Sequence, residues 1–323
     1  MTRSPSSLWT VTSLLVSAFV LTAATCAFGG NDGATGGGGG QWRQTTTGCG
    51  VWSFDSRSDI VLAWSGICVD GRVSGDGVLD ARRGTQDERY EGDMKNGKAE
   101  GHGILRRADG KMIEGYFHEG VVSGNVSYSE PSGFRYSGGW ESGREEGAGS
   151  AVWLNGMRYE GGWHLGRQVG HGKLFYPQGV VYEGQFLDDQ PNGYGKLIGP
   201  NGAIFEGDFR SGHLDGHGTI IDPSGNRYEG SVHAGERDGH GTFVWTNGNR
   251  YDGEWVHNVP DGGGIFTWPN GDRYDGHWRS HLPDGQGTLK RADGSVYSGT
   301  WNMGCFRDGG RQVSLFVEGT SCK

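Results

Sequence analysis

From Tyr90 onward the hydrophobic and polar positions recur in one order: an aromatic or aliphatic residue, an acid or serine, then glycine. The order restarts at Tyr90, Ile113, Tyr136, Tyr159, Tyr182, Phe205, Tyr228, Tyr251, Tyr274 and Tyr297, always at 23 residues and without an insertion. A fixed period of this length marks a repeat array, in which each unit buries its apolar face against its neighbours. Inside a unit the period is two. In the unit that starts at Tyr159, the side chains of Tyr159, Gly161 and Trp163 share one face of a strand, and Glu160 and Gly162 share the other. A turn at Leu165-Gly166 follows, then Gly170-His171-Gly172, the run Leu174-Phe175-Tyr176, and a second turn at Pro177-Gln178-Gly179. Two short alternating runs between glycine turns predict a β-hairpin. Pro200-Asn201-Gly202, Pro223-Ser224-Gly225 and Pro269-Asn270-Gly271 repeat the second turn, and Asn155-Gly156 and Asn247-Gly248 replace it elsewhere. The expected fold is all-β: an elongated, twisted, single-sheet array of antiparallel hairpins, roughly 100 Å long at about 4.8 Å per strand.

A turn centred on Leu165-Gly166 predicts that Gly172 lies opposite Tyr159 and Gly170 opposite Gly161. An aromatic ring can then cover bare backbone, and both glycines of Gly-x-Gly would floor the aromatic face. Across the second turn, Trp153, Trp245 and Trp268 are expected to meet Tyr159, Tyr251 and Tyr274. The other face carries Glu160, Glu183, Glu206, Glu229, Asp252 and Asp275.

The composition fits a repeat array. Hydrophobic residues make up only 33% of the chain and there are 65 glycines, a level that usually signals low complexity, but here the glycines are periodic and interleaved with 12 Trp, 12 Tyr and 13 Phe. The formal charge is −9 with no Lys/Arg block, which argues against a nucleic-acid partner.

Before the array, Arg3 and the apolar stretch Leu8 to Leu21, followed by small residues to Ala27, fit a secretory signal, with a retained signal anchor as the competing reading. The run around Gly36 to Gly40 fits a flexible tether. Cleavage near Ala27 leaves Cys49, Cys68, Cys305 and Cys322, and an even count in a secreted chain points to disulfides. Bonds between the front and back pairs would require the array to close on itself, so Cys49–Cys68 and Cys305–Cys322 are expected. Zinc ligation is the rival use, without a CxxC or histidine spacing to support it.

Tyr-Glu-Gly-x-Trp followed by Gly-x-Gly at a period of 23 resembles the MORN (membrane occupation and recognition nexus) repeat. The resemblance runs from Tyr90 to about Gly310, with a degenerate unit at Trp64-Ser65-Gly66 leading to Gly75-Asp76-Gly77. Met94 and Val232 depart from the second aromatic, Val126 from a glycine, and Asp308 from a glycine in the last unit. The resemblance implies a rod-like hairpin array used as a scaffold or interaction module, often linked to membranes. The expected organisation is a signal peptide or anchor over 1–27, a Gly-rich linker over 28–47, degenerate cap repeats over 48–89, ten repeats over 90–310, and a disulfide-capped tail over 311–323.

Candidate chemistry is sparse. The expected register pairs Glu91 with His102, Glu160 with His171, Glu206 with His217 and Glu229 with His240, and such pairs serve as exposed cross-strand contacts more readily than as a base or a metal site. Arg135, Arg158, Arg227, Arg250 and Arg273 share the acidic face and are expected to neutralise it. Asn125-Val126-Ser127 is an N-glycosylation sequon. Nucleophile-elbow, Walker and zincin motifs are missing, so no catalytic residue, metal or cofactor is expected. The aromatic stripe of Trp140, Tyr159, Trp163, Tyr182, Phe186, Tyr251, Trp255, Tyr274 and Trp278 is the expected partner-binding surface. The expected function is a non-enzymatic scaffold, secreted or at an endomembrane or cell surface, presenting that stripe to a protein partner or a second copy. A lipid- or glycan-surface binding module is the alternative.

Overall fold

The computed structural model describes residues 40–53, 59–316 and 322. The leader expected over 1–27 lies outside the described residues. Two compact units are present: one holds the described residues up to Gly179 with Gln185–Asp189, the other Val180–Gly184 and Gln190 onward. Each is a meander of antiparallel strands, apart from a parallel bridge of Gly50 to Arg72 in the first, and no helix occurs among the described residues. The all-β hairpin expectation therefore holds. The linker expected over 28–47 needs correction at its end, because Gln41–Gln44 is a strand paired with Gly50–Ser53 and Trp42 packs edge-on against Trp52.

The two turns of each unit follow from their residues. Between strands Arg158–His164 and Arg167–Phe175, Leu165 and Gly166 take φ of 50° and 81°, the two-residue type I′ turn whose twist matches the strands. Between Trp153 and Met157, whose amide and carbonyl bond at 3.0 Å, the chain makes a three-residue loop: the Gly156 amide donates to the Trp153 carbonyl (2.9 Å) and Gly156 sits at φ 85°. That is a type I turn closed by a left-handed residue, where glycine avoids the Cβ clash.

The register differs from the expected one at a specific place. Near the internal turn Trp163 faces Gln168 and Gly162 faces Val169, as a turn at Leu165-Gly166 requires. Beyond it Gly161 faces Gly172 and Tyr159 faces Leu174. Gly170 and His171 are extra residues, a β-bulge entered through Gly170 at φ 65°. Two extra residues keep every side chain on its own face but move all later pairings along by two. Across the second turn Tyr159 meets Ala151, and Tyr251 and Tyr274 meet Phe243 and Phe266, not Trp153, Trp245 and Trp268.

The bulge separates the work of the two glycines in Gly-x-Gly. The first supplies the positive φ. The second forms a bare cross-strand pair with the glycine two residues after the tyrosine: Gly92–Gly103, Gly138–Gly149, Gly161–Gly172, Gly230–Gly241, Gly253–Gly264 and Gly276–Gly287. The tyrosine ring lies flat over that pair, so close that a Cβ on Gly172 would come within 2.6 Å of a Tyr159 ring carbon. Its hydroxyl donates to the carbonyl three residues on, as in Tyr159 to Gly162 (3.0 Å), Tyr136 to Gly139 (2.7 Å) and Tyr228 to Ser231 (2.6 Å). In the degenerate unit Trp64 does the same, with its ring over Gly66 and Gly77 and Nε1 donating to Ile67 O at 2.8 Å.

Substitution tests this division directly. A Cβ on Gly170 meets nothing within 4 Å, so Gly170→Asn, suited to the left-handed region, is expected to cost under ~1 kcal/mol. Gly172→Ala drives a methyl into the Tyr159 ring and is expected to cost about 1–3 kcal/mol. Urea unfolding of the two variants beside the parent checks the order, and equal losses would contradict it.

Candidate functional site

The nine aromatic residues expected to face a partner are buried. Trp140 is the most exposed at 6%, and Tyr159, Tyr182, Tyr251 and Tyr274 are at 0%. Trp163 and Phe186 are buried in the first unit, and Trp255 and Trp278 in the second. The reason is mutual coverage. In the first unit Tyr159 packs edge-on against Trp163 (5.3 Å) and Phe186 (5.0 Å), and Tyr136 against Trp163 (5.3 Å). In the second unit Tyr251 packs against Trp278 (5.2 Å) and Tyr274 against Trp301 (5.1 Å). Ala151, Leu174, Phe243, Phe266 and Leu289 stand beside the tyrosines and fill the gaps. This face is the core of the hairpins, not an open platform.

Indole hydrogen bonds extend the pattern: Trp163 donates to Gly149 O (3.3 Å), Trp255 to Gly241 O (3.0 Å) and Trp278 to Gly264 O (3.0 Å). Each acceptor lies 14 residues earlier. For Trp140 that position is Val126, and Trp140 Nε1 is buried without a hydrogen-bond partner.

The opposite face meets solvent. Arg158, Arg227, Arg250 and Arg273 each pair with the acid two residues on: Glu160, Glu229 (2.6 Å), Asp252 (2.5 Å) and Asp275 (2.8 Å). The arginines do neutralise the acidic face. The Glu–His column does not form, because the bulge moves the partners: Glu91 faces Ile104, Glu160 faces Lys173, Glu206 faces Thr219 and Glu229 faces Thr242. In the second unit the arginine position reads Ile204. Ile198, Ile204 and Ile221 then stand in one cross-strand row on the solvent face, next to Tyr194, which is 61% exposed. The row ends at Arg227. The sequence signal was an aliphatic residue, Ile204, at the position where Arg158, Arg227, Arg250 and Arg273 stand in other repeats.

Sequence reasoning also missed a set of inter-repeat latches. The acid just before Gly-x-Gly accepts the turn amide of the next unit: Glu100 from Glu119 (3.1 Å), Glu146 from Leu165 (3.0 Å), Asp215 from Ala234 (3.0 Å) and Asp238 from His257 (3.2 Å). His118, His164 and His233 close on Glu100, Glu146 and Asp215 at 3.0–3.1 Å. Histidines and acids thus meet at the turns, and His102 and His240 also reach the acids of the following repeat, Glu114 (3.6 Å) and Asp252 (3.3 Å). The expected disulfides are present, Cys49–Cys68 and Cys305–Cys322.

Two buried charges stand out. In the second unit Arg237 is 4% exposed, lies 4.3 Å over the Trp255 ring and donates to Asn258 O (2.9 Å), and burial brings its pKa down to about 10. In the first unit Glu145 is 7% exposed, and burial, with Glu130 and Asp189 nearby, raises its carboxyl above the usual range. A carboxyl raised in the fold contributes its stability below its unfolded pKa and loses it as pH climbs through the folded value. Glu145→Gln is therefore expected to melt a few degrees higher at neutral pH, about 1 kcal/mol, with the gap closing below about pH 4. Melting curves at both pH values check this, and a gap that stays the same, or a lower melting point at neutral pH, would contradict it.

The family model described as MORN repeat matches residues 90–112, 136–158, 159–181, 182–204, 205–227, 228–250, 251–273 and 274–296. No curated protein matches the chain. Among solved structures, the SAS-4 (dCPAP) TCP domain of Drosophila melanogaster, in complex with a proline-rich motif of Ana2 (dSTIL), is similar at 12% identity and TM-score 0.33, covering 48% of this chain and 84% of that one. The TCP10 domain of Danio rerio CPAP, in complex with a peptide of Danio rerio STIL, is similar at 13% identity and TM-score 0.27, covering 74% of this chain and 98% of that one. The repeat matches span more than half of the sequence, and the chain belongs to the MORN repeat family.

Proposed function

We propose that this protein is a non-enzymatic scaffold that binds a protein partner in a secretory or membrane-associated setting. We assign the contact to the solvent face of the hairpins, because the aromatic residues first expected to make it are spent on the core. The carrying observation is the row Ile198, Ile204 and Ile221 with exposed Tyr194. Aliphatic side chains in register on a solvent face gain from burial, and an apolar patch with a polar rim is the usual form of an interface. Lys196 pairs with Glu206 at 3.2 Å beside the row and supplies part of that rim. The two disulfides support an oxidising compartment. A lipid surface suits this face less well, since arginines paired with their own acids have little field left for anionic headgroups.

The test is partner capture by the parent chain and by Ile198→Asp/Ile221→Asp. A partner held by the parent is expected to lose at least about tenfold in affinity, roughly 1.4 kcal/mol, while the circular dichroism stays unchanged. Undiminished capture by the folded variant would overturn the assignment, as would firm flotation of both chains with phosphoinositide vesicles.

A further inference from the structure

Asn125-Val126-Ser127 is the only Asn-x-Ser/Thr sequon in the sequence. The fold sets it in the first unit, in strand Val121–Ser129, at a β-bulge. Tyr116 faces Ser123 and Gly115 faces Val126, so Gly124 and Asn125 are the extra residues, and Gly124 turns the strand at φ 78°. Val126 is buried in the core at 3%, while Asn125 and Ser127 on either side of it are exposed. On the other edge Asn125 faces Gly139, which has no side chain to cover it. Asn125 makes no side-chain hydrogen bond among the described residues, so its amide gives up no contact when it is modified.

Beside Asn125 the solvent face is hollow. Ser127, Ser137 and Ser150 stand in register across three strands and floor a groove of 490 Å³, with Arg135, Met112 and Val152 in its walls. The hollow follows from the sequence. The cross-strand pair that reads Glu160–Lys173 in the next repeat reads Ser137–Ser150 here, so short side chains stand where long ones would fill the space. Arg158 pairs with Glu160, but Arg135 has Ser137 two residues on and no acid partner among the described residues. Hydroxyls, one unspent cation and apolar walls suit a sugar ring, which offers hydroxyls and an acetamido carbonyl at its edge and C–H groups on its faces. The volume lies in the range of small-ligand sites. Asn125 and Ser127 share a face two residues apart, about 7 Å along the strand, so a sugar attached to Asn125 enters the groove at its end.

We propose that Asn125 carries an N-linked glycan whose first sugars lie in the serine groove. The donor class is a polyprenyl-diphosphate oligosaccharide. Asn125 Nδ2 bonds to the anomeric carbon, the bond from that carbon to the diphosphate oxygen breaks, and one amide proton is lost; the lipid diphosphate is the leaving group, and nothing is oxidised or reduced. Transfer takes place on the unfolded chain, where Ser127 supplies the hydroxyl that the acceptor motif needs. Folding then keeps Asn125 outside and lays the glycan over Ser127, Ser137 and Ser150. The inference rests on the secretory setting proposed above and is independent of the isoleucine row.

The test expresses the full chain in secreting eukaryotic cells. The exported parent is expected to lose a glycan to peptide-N-glycosidase, with the Asn125 side chain converted to a carboxylate in the peptide map. Asn125→Gln and Ser127→Ala are expected to lack the glycan, and Ser127→Thr to keep it. Ser137→Glu/Ser150→Lys gives this pair the side chains of Glu160–Lys173, which fills the groove with a pairing the fold already accepts and leaves the sequon whole. That variant is expected to release its glycan to the enzyme at least about fivefold faster than the parent under native conditions, because cleavage follows the exposed population. An exported, disulfide-bonded chain with Asn125 unmodified would overturn the inference and leave the secretory setting standing. A chain kept in the cytosol with free thiols would overturn both. Equal release from the parent and the filled variant would overturn the placement in the groove, and with it the proposal.

Discussion

Everything in these hairpins depends on a tyrosine ring lying flat across a pair of bare backbones. The pair must be glycine on both strands, because a Cβ on either would occupy the space of the ring. The hydroxyl must reach the carbonyl three residues on, since that bond holds the ring down. The chain's own exceptions support the coupling. Where Ile113 replaces the tyrosine, the cross-strand partner of Gly115 is Val126. Where Phe205 replaces it, a Cβ on Gly218 would meet Leu214 and not the ring. At the last repeat Gly299 has a glycine partner only on the preceding strand, Gly287, and none on the following one, and Tyr297 is only half-buried. Among the described residues the glycine pair survives without the hydroxyl only at Phe205, as Gly207–Gly218.

From this constraint follows the division of the two faces. Rings held flat can pack edge-on against the tryptophan or phenylalanine of the next repeat, which builds a core from one layer of sheet within each unit. The aromatic positions are thereby committed to stability. The partner contact we propose falls instead on the solvent face, which carries the arginine–acid pairs and the Ile198–Ile204–Ile221 row. The buried tyrosines show the consequence chemically: burial pushes Tyr159 up to about 12, and Tyr90, Tyr136, Tyr228, Tyr251 and Tyr274 are raised by the same cause.

The hairpins, both turn types and both disulfides were legible in the sequence, because each rests on local rules: alternation, glycine at positive φ, and cysteines far apart along an array. The bulge was not. Gly170 and Gly172 look alike in sequence, and only the geometry shows that one bends the strand while the other lies beneath Tyr159. That one omission misplaced the Glu–His column. The burial of the aromatic stripe was illegible for a different reason. Alternation tells which residues share a face, but coverage depends on ring contacts between units 23 residues apart. The acid latches were visible in principle, since Glu100, Glu146, Asp215 and Asp238 all directly precede Gly-x-Gly, yet an acid beside a turn reads first as solubility.

The central claim is that the repeat tyrosines are locked over glycine pairs and closed to solvent. Spectrophotometric titration of the phenols, followed together with circular dichroism, tests it most directly. The account predicts that Tyr90, Tyr136, Tyr159, Tyr228, Tyr251 and Tyr274 stay protonated well past the ordinary tyrosine range and ionise only as the sheet unfolds. Reversible ionisation of most phenols near their ordinary value of about 10, with the sheet signal intact, would contradict it.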